Sequence, residues 1–296
     1  MGEASSVRFR VGHADLERLC ALNEFRLPER GVVFVGVRGA LPVEGTATEW
    51  GETLELRSAA VDHLHPRCTV LQWKPAERRV AAFAGSTVPH RRYVEAARRR
   101  NGRGANQLMS GWFVDYRRGT HRAGTAGAHP AFRQTLPRPL RRTVNDHHYT
   151  AADRVEIACV GDNLHAAWCD GLDSEYYASA GCQVVVGRPL SGPWRRFHQE
   201  ATREAQDVYP YLLIPGSELR ELAAGGLAGA ERVRFGSRGP RTRRVQEALR
   251  RRGFYRGAVD GDFGPQSLRA LLQFQEPLDT GVCEAKTAAA LGAAWP

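Results

Sequence analysis

From Arg241 to Leu291, glycine and proline recur so closely that only short helices fit between them. The segment Arg241–Arg252 (RTRRVQEALRRR) places Val245, Ala248 and Leu249 at i, i+3 and i+4, one apolar stripe opposite an arginine face. Gly253 stops that helix. A loop crowded with Gly and Asp follows, Phe254–Gly264 (FYRGAVDGDFG), and Pro265 suits the first turn of a second helix. There Leu268, Leu271, Leu272 and Gln275 share a face, with Phe274 beside it. A third, short helix is expected over Glu284–Leu291. Three such helices can bury Val245, Leu249, Phe254, Val259, Phe263, Leu268, Leu272, Phe274 and Leu291 together.

The Asp260-Gly261-Asp262 triplet is not a calcium loop. An EF-hand counted from Asp260 needs Gly and Glu where Pro265 and Leu271 stand. The arginine face reads as a solvated surface rather than a nucleic-acid site. The order Val245-Gln246 with Leu249, Gly253-Phe254-Tyr255, Val259 through Pro265, Phe274-Gln275, Thr280-Gly281-Val282 and Thr287 through Leu291 closely resembles the peptidoglycan-binding domain that accompanies many wall-lytic enzymes. The resemblance implies that this end binds cell wall, with Tyr255, Asp260, Asp262 and Phe263 as its contacts.

Upstream the chain reads as a different unit. Gly31–Val37, Cys68–Trp73, Arg79–Phe83, Val155–Val160 and Gln183–Val186 are β-type runs, the second and third able to form a hairpin. A short helix fits Glu95–Arg100, and the Gly-, Arg- and Pro-rich stretch 101–146 is expected to be long surface loops. Gly and Ala dominate Leu222–Gly239. The expected division is therefore 1–222 for a mainly-β domain, 223–235 for a linker and 236–296 for the helical domain, an α+β class overall.

Composition narrows the partners. The net charge is +10, and residues from Glu231 onward hold 12 basic against 7 acidic residues, half of the excess. Such a balance favours a polyanion, and wall carries carboxylates. No apolar run reaches the ~18 residues of a bilayer span. Met1–Gly12 has no apolar core, so no secretory signal is expected. Delivery by lysis or by a phage-like injection device fits such a chain. Six cysteines at irregular spacing, without a C-x-x-C pair, read as free thiols rather than disulfides or a Cys-rich zinc site.

One stretch carries a candidate reaction. His165 follows a predicted strand, and Ser179-Ala180-Gly181-Cys182 comes 17 residues after it, directly before the run Gln183–Val186. A Cys at a glycine-containing loop-to-strand junction can meet substrate closely, with backbone N–H groups available to an oxyanion. An imidazole nearby can take and return its proton. The bland reading of any single Cys is a packed core residue.

The His…Ser-x-Gly-Cys order resembles the catalytic domain of L,D-transpeptidases of the YkuD type, and the opposite order marks NlpC/P60-type peptidases. The resemblance implies Cys182 as nucleophile, His165 as general base and acid, and Ser179 as a supporting hydrogen-bond partner, with N–H donors from Gly181 and Cys182. A thioester formed on a wall stem peptide would pass to an amine, giving a cross-link, or to water. The common family form continues Cys-x-Arg with Gly after the His. Here Gln183 and Val184 follow Cys182, Ala166 follows His165, and the nearest later arginine is Arg188. Arg188 and Gln183 are the candidate substrate contacts in this domain.

No metal or other cofactor is expected. His63, His65, His121, His129, His147 and His148 are scattered and match no recognised zinc spacing such as H-E-x-x-H. Arg133, Arg141, Arg142 and Asp146 are candidates for cleft walls. The leading expectation is a cysteine enzyme acting on peptidoglycan. The alternatives are a wall-binding protein without catalysis and a zinc-dependent wall hydrolase.

Overall fold

The structure is a computed structural model that describes residues 6–99, 104–143, 148–150, 153–226, 231–276, 280–293 and 295. In chain order the elements are β1 Arg8–Gly12, α1 His13–Leu22, β2 Val33–Arg38, β3 Ala40–Pro42, β4 Thr53–Ser58, β5 Cys68–Lys74, β6 Arg79–Ser86 and α2 Arg91–Arg99. Then come β7 Ala105–Leu108, β8 Gly111–His121, β9 His129–Arg133, β10 Arg138–Thr143, β11 Arg154–Ala158, β12 Leu164–Ala166, β13 Gln183–Val185, α3 Gly192–Thr202, β14 Tyr209–Pro215 and α4 Gly216–Ala223. Helices α5 Pro240–Arg251, α6 Pro265–Gln275 and α7 Ala285–Leu291 follow. The α+β class holds.

Eight strands close into a barrel in the order β12-β13-β6-β5-β2-β14-β8-β9. The hairpin across Lys74–Arg79 is there, in register. Strand β2 shows why the barrel needs cover on both sides. Its Val33, Val35 and Val37 face one core with Leu16, Leu19 and Ile214, and Phe34 faces the other. A strand buried on both faces has to be apolar throughout, as VFVGV is. Inside, Phe34 meets Phe132 at 4.8 Å and Phe197 of α3 at 5.0 Å. Outside, α1, α4 and the small sheet β1-β4-β3 form the second core.

The stretch 101–146 is not a set of loops. It supplies β7 to β10, two of them barrel strands. Two of its arginines, Arg138 and Arg141, are buried, while Arg117, Arg118, Arg122 and Arg133 are exposed. Arg138 is fully buried, lies 2.6 Å from Asp115 and stacks 3.9 Å from the Tyr116 ring centroid. A guanidinium so paired and stacked can occupy a core that its sequence denies. Helix α2 begins at Arg91, ahead of the expected Glu95, and α1, α3, α4 and β14 stand where the sequence reading placed no element.

The C-terminal helices bury Val245, Leu249, Phe263, Leu268, Leu272 and Leu291 in one cluster, joined by Tyr255 and Cys283. Phe254 is 37% exposed, with its ring edge-on to Phe274 at 5.6 Å. The stretch expected as a linker ends in packed residues. Val233 and Arg234 are buried, and Val233 exchanges backbone hydrogen bonds with Cys283. The Arg234 guanidinium grips Glu218 of α4 through two bonds of 2.7 and 3.1 Å. Trp112 N–H donates to the Phe235 carbonyl at 2.9 Å.

Helix α5 is capped from the other end of the chain. Glu24, at φ 53°, accepts from the backbone N–H of Arg241 at 2.8 Å and of Thr242 at 2.9 Å, and from the Thr242 hydroxyl at 2.9 Å. A carboxylate there satisfies donors that the helix leaves open and meets the positive end of its dipole. Replacing Glu24 by Ala should cost about 1–2 kcal/mol. The expected result is a lower urea midpoint at unchanged slope, and an unshifted midpoint would remove the cap from this account.

Candidate active site

Strands β12 and β13 run parallel, with Leu164 opposite Gln183 and His165 opposite Val184. Cys182 directly precedes β13, so this pairing brings the His165 imidazole and the Cys182 thiol near each other. Strand β9 flanks β12 through Phe132 and Leu164, and the β8–β9 hairpin places His121 opposite His129. Three imidazoles therefore meet. The His121 ring stacks on His165 at 3.9 Å and 14°, and His129 meets His165 edge-on at 5.2 Å. His121, His129, His165, Cys182 and Arg188 line one cavity of about 650 Å³, with Tyr93, Trp168 and Tyr176 among its other walls.

Hydrogen bonds fix the tautomers. His165 is 1% exposed, and its Nδ1 lies 2.8 Å from the Ala166 carbonyl, which can only accept. Nδ1 therefore carries the proton. Nε2 keeps its lone pair, buried and without a partner among the described residues. His129 likewise donates from Nδ1 to the Gly127 carbonyl at 2.8 Å and turns Nε2 toward His165 Nδ1 at 3.4 Å. Cys182 is half-buried, with Sγ 3.4 Å from the Gly161 carbonyl. Nitrogens of His121 and His165 and Cys182 Sγ lie within 4.8 Å of one another.

Electrostatics keeps these groups neutral. Burial, then the nearby Asp162 carboxyl, pushes the Cys182 thiol up to about 12. Burial, then its neighbours His121 and His129, holds His165 well below the ordinary histidine value. His121 falls to about 4, by burial and then by His129. The resting pair is thiol and imidazole, not thiolate and imidazolium.

The turn ahead of Cys182 is built by Ser179. Its hydroxyl donates to the Cys182 carbonyl at 2.7 Å and accepts from Gly181 N–H at 3.2 Å. That N–H is therefore engaged within the turn, which differs from its expected role as an oxyanion donor. Gly181 sits at φ +135°, and a Cβ there would lie 2.0 Å from Asn106 Nδ2, so no side chain fits.

Gln183 does not contact the cavity, contrary to expectation. It is buried, donating from Nε2 to Asp162 at 3.1 Å and to the Gly181 carbonyl at 3.2 Å, and accepting from Tyr211 Oη at 2.8 Å. Its alternating strand position faces the barrel core. Arg188 is on the cavity wall, half-exposed and held by Asp170 at 2.9 Å. Arg141 and Arg142 are tied into β10 and its surroundings, to the Thr150 carbonyl and to Glu156. Asp146 and His147 lie outside the described residues. His63 contacts the Pro89 carbonyl, His65 contacts Asp62, and neither lines the cavity.

His121 and His129 were indistinguishable from surface histidines while their stretch read as loop. Their signal was a Gly-rich turn between two runs, a hairpin. His121, His165 and Cys182 are donor types that hold zinc. The arrangement fits that use poorly, because the lone pair of His121 already accepts from Asn163. The Asn163 amide donates Nδ2–H to His121 Nδ1 at 2.9 Å, and its Oδ1 accepts from Gln134 N–H at 3.0 Å.

In the C-terminal unit, Tyr255 and Phe263 are core residues rather than surface contacts. The Tyr255 hydroxyl donates to the Ala258 carbonyl at 2.7 Å. Asp260 is exposed and accepts from Gln246 Nε2 and Asp262 N–H, both at 2.9 Å, and Asp262 pairs with Arg238 at 2.8 Å. These bonds hold the loop and leave Asp260 the more open of the two carboxylates.

The comparisons bear on this end of the chain. A family model described as a peptidoglycan binding domain matches residues 238–291. No curated protein and no solved structure matches the chain. The chain thus carries a peptidoglycan-binding unit, whose place of action is the cell wall. No helix among the described residues is long and apolar enough to cross a membrane.

A thiol held at about 12 is ionised in about one molecule in 10⁵ at pH 7. Carbamidomethylation of Cys182, mapped by peptide mass, should therefore climb steadily from about pH 7 to about pH 10. A plateau already reached near neutrality would show a preformed thiolate and contradict this electrostatic reading.

Proposed function

We propose that the protein is a cysteine acyl-transfer enzyme acting on peptidoglycan stem peptides, held on its polymer by the C-terminal wall-binding unit. The observation that carries the reading is a buried His165 whose Nε2 is unpartnered among the described residues and which has a ring nitrogen within 4.8 Å of the Cys182 Sγ in one cavity. A buried acceptor without a partner is costly and calls for an explanation. A proton from the thiol supplies one.

The chemistry follows from the neutral pair. As Sγ attacks an amide carbonyl, its proton passes to His165 Nε2, so thiolate character develops only during attack. The Ala166 carbonyl, accepting from Nδ1, holds the ring and favours the imidazolium. The imidazolium then gives its proton to the leaving amine, and a thioester remains on Cys182. Water or an amine takes the acyl group in the second step, with His165 again as base. Arg122 and Arg188 on the cavity wall suit a substrate rich in carboxylates. The wall-binding unit keeps the catalyst near an insoluble polymer, an effect of local concentration.

A second reading, wall binding without chemistry, is separated by experiment. Purified sacculi incubated with wild type should yield new muropeptide masses that Cys182→Ala does not produce, while both proteins still pellet with sacculi. The mass distinguishes cross-link from hydrolysis. His165→Ala should lower the rate by about 10²–10⁴-fold. Identical muropeptide profiles from wild type and Cys182→Ala would leave a binding protein only.

A further inference from the structure

We propose that His121 is a catalytic residue of the Cys182 cavity, the donor from its Nε2–H to the oxyanion formed when Cys182 is acylated; this rests on the acyl-transfer reading of the cavity. Three observations lead there. The first is the tautomer. The Gln134 backbone N–H fixes which end of the Asn163 amide is oxygen, so Asn163 presents Nδ2–H to His121 Nδ1. Nδ1 must accept, and Nε2 must carry the proton. The imidazole on the neighbouring strand is set the other way. His165 donates from Nδ1 and keeps its lone pair on Nε2. The two stacked rings thus differ in kind, one an acceptor and the other a donor.

The second observation is position. His121 lines the same cavity as Cys182, and a nitrogen of its ring lies within 4.8 Å of Sγ and of a His165 nitrogen. A carbonyl carbon bonded to Sγ would bring its oxygen into the reach of such a donor. The third concerns the backbone donors of the turn. The Gly181 N–H is already engaged by Ser179 Oγ, so of the two N–H groups expected to face an oxyanion only that of Cys182 is left, and a second donor has to come from a side chain. A site that forms an oxyanion gains most from donors fixed in place before the charge appears. His121 is fixed by Asn163 and by its stacking on His165. Its depressed basicity supports the role, since it stays a neutral donor across the physiological range and does not compete with His165 for the thiol proton.

The test uses p-nitrophenyl acetate on the full chain, so it does not depend on peptidoglycan. In this reaction the Cys182 Sγ–carbon bond forms and the carbonyl π pair moves onto oxygen. The thiol proton goes to His165, and collapse expels nitrophenolate, leaving an acetyl thioester. The readouts are nitrophenolate release above a Cys182→Ser control and the acetyl mass on the Cys182 peptide. His121→Phe keeps a ring against His165 but cannot donate, whereas His121→Gln keeps an N–H donor. His121→Phe should acylate about 10²–10³-fold more slowly than wild type. His121→Gln should recover most of the rate. Carbamidomethylation of Cys182 forms no oxyanion, so its rate should not fall in either variant, which separates donation from a structural role. Acylation of His121→Phe at the wild-type rate overturns the proposal. So does His121→Gln being as slow as His121→Phe, an alkylation rate that falls in step with acylation, or a wild type that Cys182 leaves unacylated. If Cys182 acetylation depends on His121 while sacculi remain unchanged, the donor stands and the wall chemistry is what fails.

Discussion

The parallel pairing of β12 with β13 is the constraint on which the site depends. It is three residues long on each strand, yet it fixes His165 against Val184 and so sets Cys182 beside the imidazole. Both strands are short, and neither would hold position alone. The barrel closes around them, through β6 on one side and β9 on the other, and the turn before β13 is locked by Ser179 and by the glycine at position 181. A one-residue slip would send Cys182 and His165 to opposite faces. The packed core that fills the barrel behind them therefore acts on function through register.

The same burial that holds the register sets the proton inventory. Three imidazoles in one enclosed space cannot all be charged, and the order of protons, on His121 Nε2, His129 Nδ1 and His165 Nδ1 with His165 Nε2 left as acceptor, follows from two carbonyls and one amide around them. A preformed ion pair between Cys182 and His165 would lie close to the buried Asp162, itself raised to about 6 by burial, and would be resisted by it. The site consequently favours coupled proton transfer during attack over a resting thiolate. A thiol held up in this way reacts slowly with adventitious electrophiles.

Much of this was legible in the sequence, unevenly. The helical unit was readable because its helices are short, punctuated by Gly253 and Pro265, and amphipathic with period 3.6. The hairpin Cys68–Phe83 and the order His165 then Cys182 were readable for similar local reasons. What escaped was set by tertiary partners. Arg138 hides in the core because Asp115 and Tyr116 wait for it, and no local pattern announces that. Reading 101–146 as loop in turn hid His121 and His129, since their meeting depends on a hairpin closing onto β12. Gln183 and Phe263 failed differently: each stands in a recognised motif, but strand alternation and helix packing turn it inward.

How the two units are joined bears on how the protein meets the wall. A flexible tether would let the barrel sweep a volume around its anchor. Here the contacts argue for a fixed mount. Glu24 caps α5 from the barrel side, Arg234 and Glu218 form a buried two-bond pair, and Phe235 stacks on Phe113 while its carbonyl accepts from Trp112. Breaking a buried pair such as Arg234–Glu218 leaves an uncompensated charge, so the mount resists opening. With the units held together, binding of the polymer by the C-terminal helices constrains not only the distance but the orientation at which strands reach the Cys182 cavity. On the proposed acyl-transfer function, selectivity among wall bonds would then come partly from geometry outside the cavity, with the mount deciding which stem peptides arrive in line with Sγ.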